Sequence, residues 1–535
     1  MRCVWWTLWA TACVVPVETV MDDPRPRSPA PSSEPSATVP ETTATTSGVV
    51  HEGEWGWGRD NGGHNADASF VGDGPGDWAG GCLVAPGDVN GDGFDDLVIS
   101  APRRDGLAVD GGKAYFVFGG PRRAGRQPLS KAPSVVGDEE GMELCQVTAV
   151  GDLNGDGLPD VGFSTGYSNV SPPGGEYVVF GKTSGWDKAI PVSEADVVAK
   201  NVHADGVNDL GGTGYLGDMD GDGIDDWLLF GQVLFNGEGH VVSGADAVGA
   251  LELPTDSKLW VYGDTRRVRM ARAGDLDGDG LADMVVVDVD GPRSRLVFGS
   301  SAGLPHDQSA DAVAVVRFKN TERWSGLSPV GDVDGDGMQD LAVRRGGGIS
   351  LILGRTAWPP SMTEEDADVQ LDWSGGRVAP AGDLNADGID DLVMVKPGQL
   401  DLLFGRSSWG ASVGPDVVIE LRPEASLFIT PELRGDLDGD GLPELIVADP
   451  YVSVDERQGA GQVLVFAGRR NWEGQLDAGD ADARFLGTAS WQALGHLGAV
   501  VDLDRDGIDD LVLGAPSYPV DTLEGETFVY YGRPR

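Results

Sequence analysis

The chain has 535 residues, which is enough for several domains or for one large repeat fold. Its 86 acidic residues against 39 Lys and Arg give a formal net charge of −47, which argues against nucleic acid and anionic membrane surfaces as partners. The 81 glycines indicate tight turns rather than long helices, and the excess of acids directs attention to bound cations.

The N-terminal segment MRCVWWTLWATAC has the features of an export signal. Arg2 precedes a short apolar run, and the small residues at 10–12 have the pattern of a signal-peptidase site. Cys13 stands where bacterial lipoproteins carry their lipidated cysteine; plain secretion and a misassigned start codon are the alternatives. We predict a signal peptide over 1–12 and a protein that is secreted or anchored at the cell surface or outer membrane. A lipid on Cys13 is the only membrane attachment expected, because no later stretch has the roughly 18 apolar residues of a spanning helix.

Residues 13–60 form a segment rich in Pro, Ser and Thr. Residues 22–48, DDPRPRSPAPSSEPSATVPETTATTSG, contain almost nothing apolar. Such a segment cannot bury enough surface to offset the entropy of ordering it. We therefore predict a disordered stalk over 13–60 and one folded domain over 61–535.

The folded region repeats a nine-residue acidic loop eight times. The first copy is DVNGDGFDD at Asp88 and the last is DLDRDGIDD at Asp502, and successive copies start 51 to 66 residues apart. A β-prone apolar run such as LVISAP follows each loop, and a later strand ends in an aromatic-Gly pair in most repeats, as in AYFVFGG. The pattern predicts an all-β protein in which each repeat is one four-stranded blade of a β-propeller.

A second repeated motif predicts how the ring closes. ADASFVG at 66–72 repeats ADARFLG at 481–487, where we expect the outer strand of the seventh blade. The last repeat ends at FVYYG with no fourth strand after it. We therefore expect residues 66–72 to pair with the last blade near 527–532, which removes the exposed edges of an open array.

These motifs resemble the FG-GAP repeats of the integrin α-subunit β-propeller and of bacterial surface proteins. The resemblance covers about 66–535 and weakens in the middle repeats, where GAP becomes LLFGQ and AVRRG. It implies calcium-binding loops and a role in adhesion or protein recognition. Integrin propellers have seven blades; the eight loops predict eight here, with seven as the alternative.

The loops have the composition of calcium sites. Ca²⁺ takes six to eight oxygen ligands, and positions 1, 3, 5 and 9 of each loop supply side-chain oxygens while position 7 offers its carbonyl. Glycine at position 6 fits a backbone that turns with positive φ, whereas position 4 looks freer because Ala386 and Arg505 occur there. We predict up to eight structural Ca²⁺ ions. The predicted ligands, loop by loop, are Asp88, Asn90, Asp92, Phe94 and Asp96; Asp152, Asn154, Asp156, Leu158 and Asp160; Asp218, Asp220, Asp222, Ile224 and Asp226; Asp275, Asp277, Asp279, Leu281 and Asp283; Asp332, Asp334, Asp336, Met338 and Asp340; Asp383, Asn385, Asp387, Ile389 and Asp391; Asp436, Asp438, Asp440, Leu442 and Glu444; and Asp502, Asp504, Asp506, Ile508 and Asp510.

The EF-hand is the obvious alternative for these loops. It requires a bidentate Glu at position 12 and a helix on each side. Position 12 is Ile99 in the first loop and Leu513 in the eighth, each inside an apolar β-prone run, which excludes an EF-hand. Simple acidic turns without metal are the other interpretation, and eight copies in phase argue against it.

Three further features have two interpretations each. Cys82 and Cys145 precede the first two loops by six and seven residues, and either a disulfide or two buried thiols fits. The tripeptide ending at Asp436 spells Arg-Gly-Asp, but that carboxylate belongs to the seventh loop, so we do not expect an adhesive motif there. Most tryptophans are expected in strands, whereas Trp409 and Trp491 have loop-like surroundings suited to sugar binding.

The sequence contains neither HExxH nor GxSxG, and no catalytic constellation stands out. We therefore predict a non-enzymatic, monomeric surface protein whose ligand, a protein or a glycan, binds at one face of the propeller. The first hypothesis is adhesion or protein recognition. The alternatives are a glycan-binding propeller and a propeller enzyme acting on polysaccharide.

Overall fold

The computed structural model describes residues 60–62, 65–165, 175–186, 189–201, 210–232, 237–253, 255–262, 268–288, 293–304, 307–308, 317–319, 327–345, 348–374, 376–410, 412–421, 433–472, 474–517 and 524–534. The predicted signal peptide, and the stalk apart from Asp60, lie outside these residues. Among the described residues, no helix has the length and apolar character needed to span a bilayer.

Short strands account for nearly all the regular structure. The first twenty, in chain order, are β1 Asp60–Gly62, β2 Ala68–Val71, β3 Cys82–Gly87, β4 Asp96–Ala101, β5 Lys113–Val117, β6 Gly125–Pro128, β7 Ser134–Val136, β8 Gln146–Gly151, β9 Asp160–Ser164, β10 Glu176–Val179, β11 Ile190–Pro191, β12 Val197–Asn201, β13 Leu210–Gly217, β14 Asp226–Gln232, β15 Gly237–Val242, β16 Gly249–Leu253, β17 Leu259–Tyr262, β18 Val268–Gly274, β19 Asp283–Asp288 and β20 Arg293–Val297. The others are β21 Asp307–Gln308, β22 Arg317–Lys319, β23 Leu327–Gly331, β24 Asp340–Arg345, β25 Gly348–Ile352, β26 Ser361–Thr363, β27 Val369–Ser374, β28 Arg377–Gly382, β29 Asp391–Lys396, β30 Gln399–Leu403, β31 Ser412–Val413, β32 Val417–Glu420, β33 Leu445–Asp449, β34 Gln462–Phe466, β35 Gln475–Asp477, β36 Ala483–Leu486, β37 Gly498–Val501, β38 Asp510–Ala515 and β39 Glu526–Tyr530. Single 3₁₀ turns occur at Leu129–Lys131, Val192–Glu194, Gly244–Asp246, Glu364–Asp366 and Ala478–Asp480.

The strands form eight small sheets arranged in a ring, which is an eight-bladed β-propeller. Blades 1 and 2 have the antiparallel orders β3-β4-β5-β7 and β8-β9-β10-β12, and blades 3 to 6 repeat that order through β32. In blade 7 the described antiparallel strands are β33, β34 and β36, and blade 8 contains β37, β38, β39 and β2. The eight-blade prediction is confirmed, and the seven-blade alternative is wrong.

Ring closure follows the prediction from the repeated ADASFVG motif. β2 pairs antiparallel with β39, with Ala68 opposite Val529 and Val71 opposite Glu526. β36, in the matching motif at 481–487, is the outer antiparallel strand of blade 7 and pairs with β34. The N-terminal strand therefore completes the last blade.

The blades differ from the four-stranded expectation by one additional strand. Seven sheets contain five strands, and in every blade a short outermost strand pairs parallel with the edge. These added strands, from blade 1 to blade 8, are β11, β16, β21, β26, β31, β35, β1 and β6. Along the chain, followed around the closed ring, each added strand comes between the third and fourth strands of the following blade. It pairs with the outer strand of the preceding blade, so every blade covers the exposed edge of its predecessor.

The core lies between neighbouring blades. Eight apolar clusters are present, one at each of the eight blade interfaces. Along β4, Leu97 and Ile99 face the cluster shared with blade 8, whereas Val98 faces the cluster shared with blade 2. Because both sides of each second strand are buried, these strands are continuous apolar runs rather than alternating ones.

The antiparallel order determines which loops share a face. The acidic loops join first and second strands, so all eight lie on one side of the ring, which we call the acidic face. The loops joining second to third strands, and those joining one blade to the next, lie on the opposite face. Cys82 and Cys145 form a disulfide there between the inner strands of blades 1 and 2, with their Cα atoms 5.8 Å apart.

Candidate functional site

Each acidic loop is folded around its first carboxylate. In loop 1, Asp88 accepts hydrogen bonds from the backbone N–H of Asp92 at 3.1 Å and of Gly93 at 2.7 Å. The bond from position 6 to position 1 is present in all eight loops. The position 6 glycines all have φ between +84° and +91°, as predicted. Local sequence therefore dictates the shape of the loop.

Position 4 is more constrained than the sequence suggests. It has positive φ in all eight loops, including 57° at Ala386 and 58° at Arg505. The expectation that this position is free is therefore wrong with respect to backbone conformation. The two side chains occupy a left-handed conformation that costs about 1–2 kcal/mol without glycine.

Position 9 carries the most buried carboxylate of each loop. Asp391 is fully buried and accepts hydrogen bonds from the N–H of Leu384 at 2.8 Å and of Gly405 at 2.9 Å. Leu384 is position 2 of the same loop, and Gly405 is the glycine of the FG pair that follows the third strand β30. Both bonds recur in at least seven loops, and position 9 is 0% exposed in all eight.

This arrangement explains the FG signature, which sequence reasoning left without a cause. A Cβ atom on Gly405 would lie 2.3 Å from the carbonyl oxygen of Asp390. The residue must be glycine because its N–H reaches the buried carboxylate only when its Cα passes this close to the loop backbone. The FG pair and the acidic loop are therefore two halves of one structural unit.

Burial strongly perturbs the position 9 carboxyl groups. Desolvation raises the pKa of Asp96, Asp283 and Asp391 to about 7, and that of Asp510 to about 8, although backbone N–H groups act in the opposite direction. At Glu444, desolvation raises the pKa to about 9. A neighbouring cation would favour the charged form of each group.

The carboxylates converge well enough to hold a cation. In loops 4 and 5, oxygens from positions 1, 3 and 5 lie within 4.8 Å of one another, and in loops 3, 7 and 8 the set comprises positions 1, 3 and 9. Loops 1, 2 and 6 have Asn at position 3, so their side-chain set mixes carboxylate and amide oxygens. Oxygen-only donor sets suit Ca²⁺ or Mg²⁺ rather than soft metals. The residues present therefore fit the predicted ion.

The loops are linked to one another around the acidic face. At seven of the eight junctions the residue after the FG glycine donates its N–H to the position 2 carbonyl of the preceding loop, at 2.8–3.4 Å. Between loops 2 and 3 the N–H of Asp225 donates to the carbonyl of Asp152 at 3.4 Å. Position 7 side chains also lie over position 4 of the preceding loop. Leu158 of loop 2 lies over Gly91 of loop 1, and Ile224 of loop 3 lies over Gly155 of loop 2. The predicted metal sites thus form one hydrogen-bonded ring.

Position 8 is a functional position that the sequence interpretation missed. Asp225, Asp390 and Asp509 each accept a hydrogen bond, at 2.8–3.0 Å, from the position 1 N–H of the preceding loop. The signal was the DD pair that ends several loops, whose first Asp has no role in a single isolated loop. These carboxylates therefore position the first predicted ligand of the preceding loop.

The other residues singled out from sequence have structural explanations, with one exception. Asp436 accepts bonds from Asp440 and Gly441 inside loop 7, which engages the carboxylate of the Arg-Gly-Asp tripeptide. Trp409 packs into the cluster between blades 5 and 6, with Arg406 5.0 Å from its ring. Trp491 remains 41% exposed on the opposite face.

Comparisons with known proteins find FG-GAP repeats and similarity to integrin alpha subunits. The family model described as FG-GAP repeat matches residues 83–117, 434–466 and 494–531. Integrin alpha-V of Gallus gallus is 28% identical over 250 residues, covering 43% of this chain and 23% of that protein. Integrin alpha pat-2 of Caenorhabditis elegans is 26% identical over 234 residues, covering 37% and 19%. The chain therefore spans less than a quarter of the length of these curated relatives. Among solved structures, rhamnogalacturonan lyase YesW has a TM-score of 0.40 at 13% identity, covering 84% of this chain and 71% of that one.

Proposed function

We propose, since this chain is an FG-GAP repeat protein similar to integrin alpha subunits, that it is a calcium-stabilised β-propeller that recognises a protein partner at the cell surface or in the secreted space. The observation that carries the proposal is the set of eight acidic loops on one face, in five of which three carboxylates converge within 4.8 Å. Bound Ca²⁺ would supply the positive charge that these carboxylates require.

The chain's own residues prepare each loop for that ion. Positions 1, 3 and 5 are oriented by backbone N–H groups, and position 9 anchors the loop to the third strand of its blade. With an extracellular-type affinity near 10⁻⁴ M and millimolar calcium, each site stabilises the fold by roughly 1.4 kcal/mol. Eight independent sites would contribute on the order of 10 kcal/mol, comparable to the net stability of a domain. The ions are therefore structural in this proposal.

Partner recognition is assigned to the opposite face. Leu107 and Val109 are 65% and 60% exposed in the loop between β4 and β5, and Trp491 is exposed in the loop between blades 7 and 8. Exposed apolar side chains on the loops of one face are typical of protein interaction sites. Trp491 also supports the alternative of a glycan ligand, because an exposed indole offers a stacking surface for a sugar ring.

The metal component is tested by calcium removal. Protein stripped with EDTA is titrated with calcium, and the ions bound per chain are counted by native mass spectrometry while thermal unfolding is followed in parallel. We expect up to eight ions and a melting temperature that rises with calcium. An unfolding temperature that does not respond to chelation would contradict the structural role of the metal.

The recognition component is tested on arrays of extracellular proteins and of glycans, probed with and without calcium. The double variant Leu107→Ser/Val109→Ser should lose binding to the protein array. Val248→Ser is the matched control, since Val248 is also 65% exposed but lies outside the loops of the opposite face. Binding to glycans alone, abolished by Trp491→Ala, would favour the lectin alternative. Turnover of a polysaccharide would favour the enzyme.

A further inference from the structure

An arginine from blade 1 reaches into the acidic loop of blade 8. The guanidinium of Arg122 donates from Nε to Asp504 and from Nη2 to Asp506, which are positions 3 and 5 of loop 8. Nη2 also donates to the carbonyl of Gly532 at 3.1 Å, and the guanidinium lies 5.2 Å from the centre of the Tyr531 ring. The side chain thus bridges residues 382 positions apart in the chain.

Arg122 contacts the carboxylate oxygens that the loop backbone leaves available. Asp504 Oδ1 accepts from the N–H of Asp506 at 3.2 Å, and Asp506 Oδ1 accepts from the N–H of Ile508 at 3.0 Å. The guanidinium donates to the Oδ2 atom of each residue. A cation bound by positions 3 and 5 would use the same oxygens, so arginine and metal compete for them.

Blades 2 to 7 have no arginine at the position that corresponds to Arg122. Arg122 is the third residue after the FG glycine of blade 1. Residues at the same spacing in blades 2 to 7 carry no charge: Ser184, Ala247, Ala302, Ala357, Ser408 and Asn471. Arg535 follows at that spacing in blade 8 and lies outside the described residues. The corresponding residues of blades 2 to 7 therefore cannot form with loops 1 to 6 the ion pair that Arg122 forms with loop 8.

Arg122 contacts loop 8 close to the point where the ring closes. Blade 8 is assembled from both ends of the folded domain, so no chain connection joins its third strand β39 to its outer strand β2, which pair only through hydrogen bonds. Near Arg122, the N–H of Gly120 donates to the carbonyl of Leu503 at 2.8 Å, and the N–H of Tyr531 donates to Asp67 at 3.0 Å. An ion pair with loop 8 adds a charged contact that needs no metal.

We propose that Arg122 acts as a counter-ion for the carboxylates of loop 8 and stabilises ring closure in the absence of calcium. Because it competes with calcium for these carboxylates, loop 8 binds calcium more weakly than loops 1 to 6. The inference rests on the proposed calcium binding of the other loops. Removing Arg122 leaves Asp502, Asp504 and Asp510 converging within 4.8 Å, so the loop keeps an acidic set that can take the ion.

The test compares Arg122→Gln with Arg126→Gln. Arg126 lies in the same segment and pairs with Glu524 and Glu526, away from the acidic loops, so both variants lose one positive charge. Calcium alone is titrated onto stripped protein, and the ions per chain are counted by native mass spectrometry. At a calcium concentration that partly saturates wild type, Arg122→Gln should bind one more ion per chain than Arg126→Gln. In EDTA it should also melt at a lower temperature than Arg126→Gln, and calcium should close that gap.

Equal calcium counts and equal melting temperatures for the two variants would overturn the inference. If Arg122→Gln does not fold in either condition, Arg122→Lys is measured instead; lysine cannot hold both carboxylates in a fork, so tighter calcium binding is expected and an unchanged affinity refutes the proposal. Failure of every protein, wild type included, to bind calcium would refute the proposed function itself. Calcium binding that is indifferent to Arg122 would refute this inference alone.

Discussion

The glycine of the FG pair in blade 6 provides a sharp test of how the acidic loops are anchored. Replacing Gly405 by Ala would place a Cβ atom 2.3 Å from the carbonyl oxygen of Asp390, 2.5 Å from Ile389 Cγ2 and 3.1 Å from the carbonyl oxygen of Val333. Two of these three atoms belong to the backbone, so a side-chain rotation cannot relieve the clash.

A backbone shift that relieves the clash has a defined cost. Gly405 donates to Asp391 at 2.9 Å, and the next residue, Arg406, donates to the Val333 carbonyl at 3.0 Å. Overpacking costs about 1–3 kcal/mol, and a weakened hydrogen bond to a buried carboxylate adds about 1 kcal/mol. We expect Gly405→Ala to lower the free energy of unfolding by about 2–4 kcal/mol.

The assay is urea unfolding followed by tryptophan fluorescence, with calcium held at a saturating level. Gly414→Ala is the control, because Gly414 lies in the segment between β30 and β32, has no left-handed φ, and a Cβ there meets nothing within 4 Å. The control should change the free energy of unfolding by less than about 0.5 kcal/mol. Overlapping unfolding curves for the two variants would show that the close approach of the FG glycine to the loop is not required.

Three further outcomes are expected. Gly388→Ala, at φ +86° with open space around the new methyl, should cost about 1–2 kcal/mol by urea unfolding from backbone conformation alone, and a neutral result would contradict the left-handed requirement of position 6. Burial raises the pKa of Asp391 from 3.8 to about 7, so the protonated form of this carboxyl is favoured in the folded state. In EDTA, the free energy of unfolding should therefore fall as pH rises from 4 to 7. Thermal unfolding at pH 5 and pH 8 checks this; the calcium-free protein should melt at the higher temperature at pH 5, calcium should abolish the difference, and a calcium-free protein more stable at pH 8 would refute it. Cys145→Ser removes a cross-link between residues 63 positions apart and should cost about 4 kcal/mol on the loop-closure model; a reductant should destabilise wild type equally and leave the variant unchanged.

Much of the fold could be predicted from the sequence because the same local pattern occurs in eight repeats. The acidic loop needs only its own residues: the position 1 carboxylate binds the N–H groups of positions 5 and 6, and glycine at position 6 provides the turn. Eight loops in phase predicted eight blades, and the matching motifs at 66–72 and 481–487 predicted the closing strand.

The tertiary structure decided whatever depends on contacts between repeats. The outer parallel strands are as short as the two residues of β21, which carry no periodic signal of their own. One local feature was also missed: position 4 looked permissive because Ala386 and Arg505 occur there, yet both adopt a left-handed conformation. The insertion of Arg122 into loop 8 joins residues 382 positions apart. A hydrogen bond inside nine residues depends on local conformation alone, whereas a contact between blades exists only after the ring has brought distant strands together.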